Sequence, residues 1–321
     1  MHSGLYIVFT FLLFAASLMY FKVARRFSIV DLPNHRTMHE GATIRGGGVV
    51  ILIAIILYTL YIPIPGLYFT VGITILGGTG FLDDLIDLSG KVRFPVQVLS
   101  IILILADLHL FGLGIFWVFI IIVLATGTLN AYNFMDGING MTGGYSLITV
   151  ISLIYINSYV YQFIANDFLF FFLLALVVFS FFNFRTKAVC FAGDVGSLTI
   201  AYIIVYLIIK LVSESHQFVF ILFLTLYGID TIFTIVQRIF KKENIFEAHR
   251  LHLFQVAVSK TRMPHLSMSL IFMAVQTAIN LVIVWLIQLS VQQQLIYSAL
   301  LLFGLSVIYS VIKKYMMKEA S

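Results

Sequence analysis

The sequence contains few charged residues and a single cysteine. Only 10% of its 321 residues are Asp, Glu, Lys or Arg, whereas 61% are hydrophobic and the mean hydropathy is +1.06. An ordinary soluble domain is excluded, because charged residues make up about 25% of such domains. Cys190 has no second cysteine for an internal disulfide and lacks the CxxC or His spacing of a metal site. We therefore expect Cys190 to be a packing residue in a protein embedded in lipid.

The basic residues do not form a nucleic-acid-binding patch. The net charge is +5, but Lys and Arg lie between apolar segments rather than in one cluster. The first apolar segment, 4–21, has no Lys or Arg before it and is followed by Lys22, Arg25 and Arg26. This order is the reverse of that in a cleavable signal peptide. We expect a retained membrane anchor and no nucleic-acid partner.

Apolar segments long enough to cross a bilayer recur along the whole chain. A helix needs about 17 to 25 residues to span the hydrocarbon core. Eleven segments approach this length, at residues 4–21, 46–63, 67–82, 95–111, 115–132, 141–161, 167–184, 197–212, 217–237, 267–288 and 293–312. With no repeat or soluble domain between them, they predict one all-α polytopic membrane domain over residues 1–321, with 10 or 11 transmembrane helices.

The distribution of Lys and Arg predicts the orientation of these helices. If the N-terminus lies outside, all of the 19 Lys and Arg residues except Lys210 fall on the cytoplasmic side. The outer connections are short, so any chemistry and the C-terminus should also lie on the cytoplasmic side. The loops expected to build the site are 22–45, 83–94, 130–140, 185–196 and 238–265.

Three aspartates follow the third apolar segment. Asp83, Asp84 and Asp87 have the three- and four-residue spacings that place side chains on one side of a helix. Carboxylates this close raise one another's pKa unless a cation or a proton intervenes. A solvated helix end balanced by Lys91 and Arg93 is the alternative, but acids directly beside an apolar segment are usually functional. The cluster predicts a cationic partner or a proton-handling role.

A run of amide and acidic residues ends the fifth apolar segment. Asn130, Asn133, Asp136 and Asn139 recur every three residues, and we expect them to line one face of a helix that unwinds at the nearby glycines. Their oxygen atoms suit a hard cation such as Mg²⁺, which keeps some waters and bridges substrate phosphates. This run predicts a cation and phosphate site.

Asp194 opens the eighth apolar segment and is flanked by Gly193 and Gly196. Alone, it is an ordinary candidate for a helix N-cap. Together with the other two clusters, it forms a third acidic group at the same predicted membrane depth. The flanking glycines would let a phosphate or nucleotide approach the backbone.

The polar segment 238–265 contains two histidines beside an arginine, at His249, Arg250 and His252. Such residues can contact a diphosphate or donate a proton to a leaving group. The segment lacks the glutamate of an HExxH motif, which disfavours a zinc protease. We expect the histidines to share one helix face, with Leu253, Phe254 and other apolar neighbours at the membrane interface.

Asp230 lies within the ninth apolar segment, with Thr231 and Thr234 nearby. An acid in this position must face protein or water rather than lipid. It is either a structural partner of an Asn or Lys or a member of the site, and the pattern leaves both roles open.

These motifs resemble those of the polyprenyl-phosphate N-acetylhexosamine-1-phosphate transferases, glycosyltransferase family 4. The resemblance runs from residue 31 to residue 255. It is carried by an Asp-Asp pair with a following lysine, an Asn-x-x-Asn-x-x-Asp-Gly run and a Gly-Asp-x-Gly-Ser motif. The matching residues are Asp83, Asp84, Lys91, Asn130, Asn133, Asp136, Gly137, Gly193, Asp194, Gly196 and Ser197. The His-Arg-x-His sequence is more similar to surface-polysaccharide and O-antigen initiating enzymes than to the peptidoglycan translocase branch, which has three consecutive histidines.

The resemblance implies a role for each matching residue. It implies catalytic roles for Asp83, Asp84 and Asp136, with Asp83 as the first candidate for the base. It implies that Asn133 and Asp194 bind the metal. The substrate-binding residues that it implies are Lys91, Asn130, Asn139, His249, Arg250 and His252. Many relatives have an aspartate at the position of Asn139.

The resemblance also implies a reaction in the bacterial inner membrane. An N-acetylhexosamine-1-phosphate, from UDP-GlcNAc or a UDP-linked deoxy sugar, is transferred to polyprenyl (undecaprenyl) phosphate, and UMP is released. The implied cofactor is Mg²⁺, with Mn²⁺ as a substitute. A homodimer is possible, and the oligomeric state stays open.

A secondary transporter is the alternative function, but it would place ionisable groups near the bilayer midplane. An intramembrane aspartyl protease is disfavoured, because the sequence before Gly193 and Asp194 lacks the first glycine of the Gly-x-Gly-Asp pattern.

Overall fold

The computed structural model describes residues 2–31, 41–62, 65–244 and 250–318. Within these ranges the chain forms twelve α-helices, two 3₁₀ helices and one two-stranded sheet, which confirms the predicted all-α class. The helices are α1 (His2–Arg26), α2 (Val49–Tyr61), α3 (Leu67–Ile86), α4 (Gly90–Asp107), α5 (Ile115–Met135), α6 (Met141–Tyr159), α7 (Asn166–Asn183), α8 (Gly193–Ser215), α9 (Thr225–Phe240), α10 (Leu253–Thr261), α11 (His265–Leu286) and α12 (Val291–Lys318). The strands are β1 (Val30–Asp31) and β2 (Thr43–Ile44), and the 3₁₀ helices are Leu110–Leu113 and Phe218–Leu224.

Each of the eleven predicted apolar segments overlaps a helix. In the described part of the chain, eight helical segments are long and apolar enough to cross a membrane. They comprise α1, α3, α5, α7, α8, α9 with the 3₁₀ helix before it, α11 and α12. The apolar helix α2 has only 13 residues, and α4 carries Lys91 and Arg93 in its first turn. The exact number of crossings and their orientation stay predictions.

Helix α8 is the central element of the bundle. It contacts α2, α3 and α5. Of an 18-residue apolar stretch in each helix, 83% is buried in α8, compared with 6% in α12 at the periphery. A helix that is hydrophobic on all sides is expected at such a position, because every face has a protein neighbour. Since Asp194 is the second residue of α8, this packing places it at one end of the core.

The short sheet fastens the loop after α1 to the segment before α8. Strands β1 and β2 pair antiparallel, with Val30 opposite Ile44, and Ile44 also bridges to Cys190. Phe191 N donates to Ile44 O at 2.8 Å. Cys190 is a buried free cysteine, which confirms its predicted packing role. Burial, together with the charge of Asp136, raises the pKa of its thiol to about 12, so it is protonated at neutral pH.

Candidate functional site

The Asp84 carboxylate binds the first turn of α8. Its Oδ1 accepts from Asp194 N at 3.0 Å, and its Oδ2 accepts from Val195 N at 3.1 Å. A helix N-terminus leaves such N–H groups without partners inside the helix, and a negative charge there is favoured by the helix dipole. Asp84 therefore caps α8 from the end of α3. The N-cap residue of α8 is Ala192, and it makes no side-chain capping hydrogen bond. The alternative interpretation of Asp194 as the N-cap residue is therefore wrong.

Glycine allows this close approach of α3 and α8. Gly193 has φ +71°, and a Cβ there would lie 2.4 Å from Asp84 Oδ2. On α3, a Cβ at Gly80 would lie 2.9 Å from Asp194 O and 2.8 Å from Val195 N. Side chains at either position would hold the two helices apart. The glycines thus bring the carboxylate within hydrogen-bonding distance of the helix terminus.

Arg93 joins the acids of α3 and α8. Its Nη1 lies 2.8 Å from Asp83 Oδ2 and 3.3 Å from Asp194 Oδ2. Leu88 N donates to the other Asp83 oxygen at 2.5 Å. One guanidinium from the first turn of α4 thus offsets the repulsion between two nearby carboxylates.

Arg45 is the second cation in the cluster. Its Nε lies 2.9 Å from Asp84 Oδ1, and its Nη1 lies 3.3 Å from Asp87 Oδ1. The hydroxyl of Tyr20 donates to Arg45 O at 2.7 Å and ties this loop to α1. Arg45 and Arg93 therefore balance part of the charge of the aspartates from within the chain, and an external cationic partner or a proton-handling role stays a prediction.

The expectation that three aspartates crowd one side of a helix is only partly correct. Asp83 and Asp84 are buried in the last turn of α3, but the helix ends at Ile86. Asp87 is the C-cap residue, with φ +49°, and its side chain is 88% exposed. Because the backbone turns left-handed at Asp87, its carboxylate leaves the helix face and reaches only the outer side of Arg45.

Arg93, rather than Lys91, pairs with the acids. Lys91 is exposed as the second residue of α4, whereas Arg93 is only partly exposed and faces Asp83. The sequence pattern indicates Arg93 only in the solvated-helix alternative, and it does not indicate Arg45 as a site residue. The motif spacing identified a cation after the aspartates, but the helical period places Lys91 and Arg93 on different sides of α4.

Asn133 and Asp194, the predicted metal ligands, lie in contact. Asn133 Nδ2 donates to Asp194 Oδ1 at 2.7 Å and to Ser197 Oγ at 3.2 Å. Ser197 Oγ also donates to Gly193 O at 2.9 Å, which fixes the first turn of α8. The side chains of α5 and α8 that the motifs singled out are therefore brought together.

Two other members of the Asn and Asp run, Asn130 and Asn139, contact other parts of the chain. Asn130 and Gln97 exchange two hydrogen bonds, at 2.8 and 3.3 Å. Asn139 Nδ2 donates to Arg185 O at 2.8 Å and to Thr186 O at 3.1 Å. The prediction of one common face is wrong for two reasons. Helix α5 ends at Met135, and each step of three residues falls about 60° short of a full helical turn, so the side chains drift around the helix.

Asp136 is the C-cap residue of α5 and lies beside the start of α8. Burial is the main reason that its pKa is raised to about 7, and the charge of Asp84 raises it further. Hydrogen bonds from Thr142 and from the Gly193 backbone oppose the shift. Near neutral pH this carboxyl group can therefore exchange a proton.

The structure places part of the predicted histidine loop. Residues 245–249, and with them His249, lie outside the described residues. Arg250 is half-buried, and the His252 side chain is 3% exposed. His252 is the N-cap of α10, with its backbone N donating to Gln255 Oε1 at 3.2 Å. Whether Arg250 and His252 bind substrate stays a prediction.

Helix α10 packs on the loop after α5. Leu253 and Phe254 are buried, so the expectation that they lie at the membrane interface is wrong. A Cβ at Gly137 would lie 2.8 Å from the Phe254 ring, and the His252 and Phe134 ring centroids are 6.0 Å apart. The apolar residues of α10 therefore cover the segment that contains Asp136.

Asp230 makes buried structural contacts, and its membership of the site, the other role left open by the sequence, stays a prediction. Its Oδ1 accepts from Leu253 N at 3.0 Å and from Tyr309 OH at 2.6 Å. Lys313 Nζ donates to Tyr309 OH at 3.0 Å and to Thr234 Oγ1 at 2.9 Å. This buried cluster connects α9, α10 and α12.

The acidic cluster has more carboxylates than guanidinium groups. Four carboxylates contact two guanidiniums, so the cluster would carry two excess negative charges with every carboxylate ionised; these residues are Asp83, Asp84, Asp87, Asp194, Arg45 and Arg93. In the ranges that the structure covers, no three His, Cys, Asp or Glu side chains form a group that could hold a metal ion. The oxygen donors and the charge excess nevertheless fit a hard divalent cation.

Comparisons with known proteins match the part of the chain that carries this site. The model of the family described as glycosyl transferase family 4 matches residues 66–212. A probable undecaprenyl-phosphate N-acetylglucosaminyl 1-phosphate transferase of Bacillus subtilis (strain 168) is 28% identical over 261 residues, covering 72% of this chain and 70% of the relative.

Two enterobacterial relatives give similar matches, and both are described as undecaprenyl-phosphate alpha-N-acetylglucosaminyl 1-phosphate transferases. The protein of Escherichia coli O157:H7 is 28% identical over 222 residues, covering 62% of this chain and 60% of its own length. That of Salmonella typhi is 27% identical over 263 residues, covering 74% of this chain and 71% of its own length. Residues 66–212, a little under half of the chain, are therefore similar to glycosyl transferase family 4, and all three relatives are described as undecaprenyl-phosphate N-acetylglucosaminyl 1-phosphate transferases.

Proposed function

We propose that this chain transfers an N-acetylhexosamine-1-phosphate from a UDP-sugar to undecaprenyl phosphate and releases UMP. One observation carries the proposal: side chains from α3, α4, α5 and α8 converge at one end of the bundle. The central members are Asp83, Asp84, Arg93, Asn133 and Asp194. The described functions of the three relatives agree with this reaction.

The position of the cluster suits a reaction between a lipid and a soluble nucleotide. Asp83 and Asp194 lie at the ends of two apolar helices rather than at their centres. A polyprenyl tail can stay in the bilayer while its phosphate reaches such a site from one side. Because Lys and Arg concentrate on the side of these loops, we place the site at the cytoplasmic face of a bacterial inner membrane, with the N-terminus outside.

In the proposed reaction, an oxygen of the lipid phosphate attacks the β-phosphorus of the UDP-sugar. A new P–O bond forms, the bond from the β-phosphorus to the bridging oxygen breaks, and UMP takes the electron pair. Free phosphate monoesters have a second pKa of about 6, so the attacking group is largely a dianion at neutral pH. Asp83 is the proposed base for a residual proton, Arg93 beside it attracts the dianion, and Asp136 can exchange a proton in the same pH range.

The arginines offset negative charge in this site. Arg45 and Arg93 hold the carboxylates of Asp84 and Asp83 in the free protein. Because 40% of the Arg93 side chain is exposed, its guanidinium can also donate a hydrogen bond to a substrate phosphate. Positive groups aimed at the bridging oxygen stabilise the charge that develops there during phosphoryl transfer.

We propose Asn133 and Asp194 as ligands of Mg²⁺. Within the described residues, the hydrogen bonds of Asn133 use its amide nitrogen, so its amide oxygen is available to a hard cation. Bound Mg²⁺ would supply positive charge to the diphosphate. With every carboxylate ionised, the two excess negative charges of the cluster would match the charge of this ion.

The predicted substrate-binding residues fall into two groups. Lys91 is exposed and Arg250 is half-buried, so we propose that they contact the nucleotide diphosphate. Asn130 and Asn139 are engaged in intramolecular hydrogen bonds, and His252 is buried beside Asp230. We propose that these three residues position the loops around the substrate.

The test is the exchange of labelled UMP into UDP-GlcNAc, or another UDP-N-acetylhexosamine, by membranes supplied with undecaprenyl phosphate and Mg²⁺. Asp194→Asn should abolish exchange. Glu214→Gln is the matched control, because Glu214 lies near the other end of α8 and pairs with Lys210; it should retain activity. Undiminished exchange by Asp194→Asn, or no exchange with any UDP-N-acetylhexosamine, would sink the proposal.

A further inference from the structure

A cavity of about 460 Å³ lies between α9 and the last turns of α12. No residue of the acidic cluster described above lines it. Apolar side chains and lysines share its wall: Phe233, Val236, Met317, Lys313, Lys314 and Lys318. This cavity is called the α9–α12 groove.

The groove opens towards the surface that would face lipid. Only 6% of the 18-residue apolar stretch of α12 is buried, although the helix is 28 residues long. Val236 on the α9 side of the groove is 42% exposed. A transmembrane helix with so little protein cover presents most of its apolar surface to acyl chains.

The polar side of the groove is strongly basic. Its described lining residues include three lysines and no acidic side chain. Lys313 is buried and donates to two neutral hydroxyl groups, Thr234 Oγ1 at 2.9 Å and Tyr309 OH at 3.0 Å. The nearby Asp230 carboxylate already accepts hydrogen bonds from Leu253 N and Tyr309 OH. An anion in the groove would add charge-assisted contacts to the ammonium groups.

We propose that the α9–α12 groove binds an anionic phospholipid. The headgroup phosphate contacts Lys314 and Lys318, and an acyl chain lies along Phe233 and Val236. Lysines at the end of a membrane helix attract anionic lipids, and a volume of this size holds a headgroup and the first part of a chain. The apolar wall favours a lipid over free phosphate.

Binding should also fasten the end of α12 to the bundle. Tyr309 and Lys313, which line the groove, connect through hydrogen bonds to Asp230 and Thr234 of α9. A headgroup that holds the last turns of α12 would stabilise these contacts. The proposed lipid is therefore a structural ligand, and its binding can be measured without the transfer reaction.

The experiment measures phospholipid binding to the purified, delipidated full-length protein by native mass spectrometry and by thermal shift. Phosphatidylglycerol should bind at least about tenfold more tightly than phosphatidylcholine and raise the unfolding temperature. Lys314→Gln/Lys318→Gln should weaken phosphatidylglycerol binding about tenfold. The matched control, Lys22→Gln/Lys187→Gln, removes two exposed lysines elsewhere and should leave binding within about twofold of the wild type.

A second variant tests the groove without changing charge. Val236→Trp fills the apolar wall and should weaken phosphatidylglycerol binding as the lysine variant does. Equal binding of phosphatidylcholine, or equal losses in the control and in Lys314→Gln/Lys318→Gln, would overturn the proposal. So would undiminished binding by Val236→Trp, which would indicate attraction to surface charge alone. Displacement by equimolar polyprenyl phosphate would assign the groove to the acceptor lipid, and displacement by equimolar inorganic phosphate to a free anion.

Discussion

Arg93 Nη1 lies 2.8 Å from Asp83 Oδ2, and this ion pair joins the first turn of α4 to the last turn of α3. The same nitrogen lies 3.3 Å from Asp194 Oδ2 on α8. Two carboxylates that close would repel each other without a cation between them. Arg93 therefore holds together three helices whose side chains form the proposed site.

Replacing Arg93 by Gln should remove most of the transfer activity. The change leaves Asp83 and Asp194 without their shared cation and removes a donor that can reach the substrate phosphate. Loss of one such donor typically lowers kcat by about 10² to 10³. The initial rate of UMP exchange, measured on equal amounts of folded protein, checks the prediction.

Lys91→Gln is the matched control for Arg93→Gln. Both residues lie in the first turn of α4, but Lys91 is exposed and Arg93 pairs with Asp83. We expect Lys91→Gln to change mainly the KM for the UDP-sugar, by less than about tenfold, because it removes an exposed charge contact. The reverse ranking of the two variants would show that the motif lysine, and not Arg93, is the essential cation.

The contrast between Lys91 and Arg93 shows how far sequence reasoning reaches. Apolar segment lengths predict the helices, because they are a local property of the chain. The meeting of Asp84 with Asp194, 110 residues away, is expected only because the motifs lie at the same predicted membrane depth and resemble those of a known family. Arg45 could not be found in this way, since it is 39 residues from Asp84 and no local spacing connects them. The contact depends on the route of the chain through β2 and the loop before α2.

The Asn and Asp run shows a second limit. Its regular spacing indicates a shared face, but α5 ends before Asp136, and backbone carbonyls at Arg185 and Thr186 capture Asn139. Asn133 reaches Asp194 as expected. A spacing pattern predicts a helix face only while the helix continues, and tertiary partners beyond its end decide the rest.

Gly193→Ala should impair both folding and activity. Gly193 has φ +71°, and a Cβ would lie 2.4 Å from Asp84 Oδ2. The left-handed backbone costs a non-glycine residue roughly 1 to 2 kcal/mol, and the displaced carboxylate would lose its bonds to the start of α8. Lower unfolding temperature and lower exchange activity are the expected results.

The control for this change is Gly78→Ala on α3. A Cβ at Gly78 would meet nothing within 4 Å outside the backbone of its own helix, and the residue lies in the helix interior. Alanine in a helix interior is favoured over glycine by about 0.5 to 1 kcal/mol, so stability should rise slightly and activity should persist. If Gly193→Ala behaves like Gly78→Ala, the proposed fit between Asp84 and α8 is wrong.

Asp136 should make the metal-free protein less stable as the pH rises towards neutrality. Burial raises the pKa of Asp136 to about 7, compared with about 3.9 for an unfolded aspartate. Between these values the folded state retains a proton that the unfolded state releases, so this contribution to stability falls from about pH 4 to about pH 7 and is constant above.

Asp136→Asn isolates this contribution, because it removes the titrating group with little change in shape. In the presence of a chelator, the unfolding temperature of the wild type relative to that of Asp136→Asn should fall between about pH 4 and about pH 7. The same pH dependence in both proteins would mean that the Asp136 pKa is not raised in the folded state.

Asp230→Ala should release α10 from the bundle. The change removes the acceptor of Leu253 N and Tyr309 OH and leaves both donors buried. Breaking such a buried charged network costs about 3 to 5 kcal/mol. Because Phe254 of α10 covers Gly137, the loop that carries Asp136 should loosen as well. Tyr309→Phe, which removes only one of the donors, should have a smaller effect on the unfolding temperature. Limited proteolysis between residues 241 and 264 tests the release of α10 directly, and Asp230→Ala should be cleaved faster than Tyr309→Phe. Equal cleavage rates would contradict the role of Asp230 in holding α10.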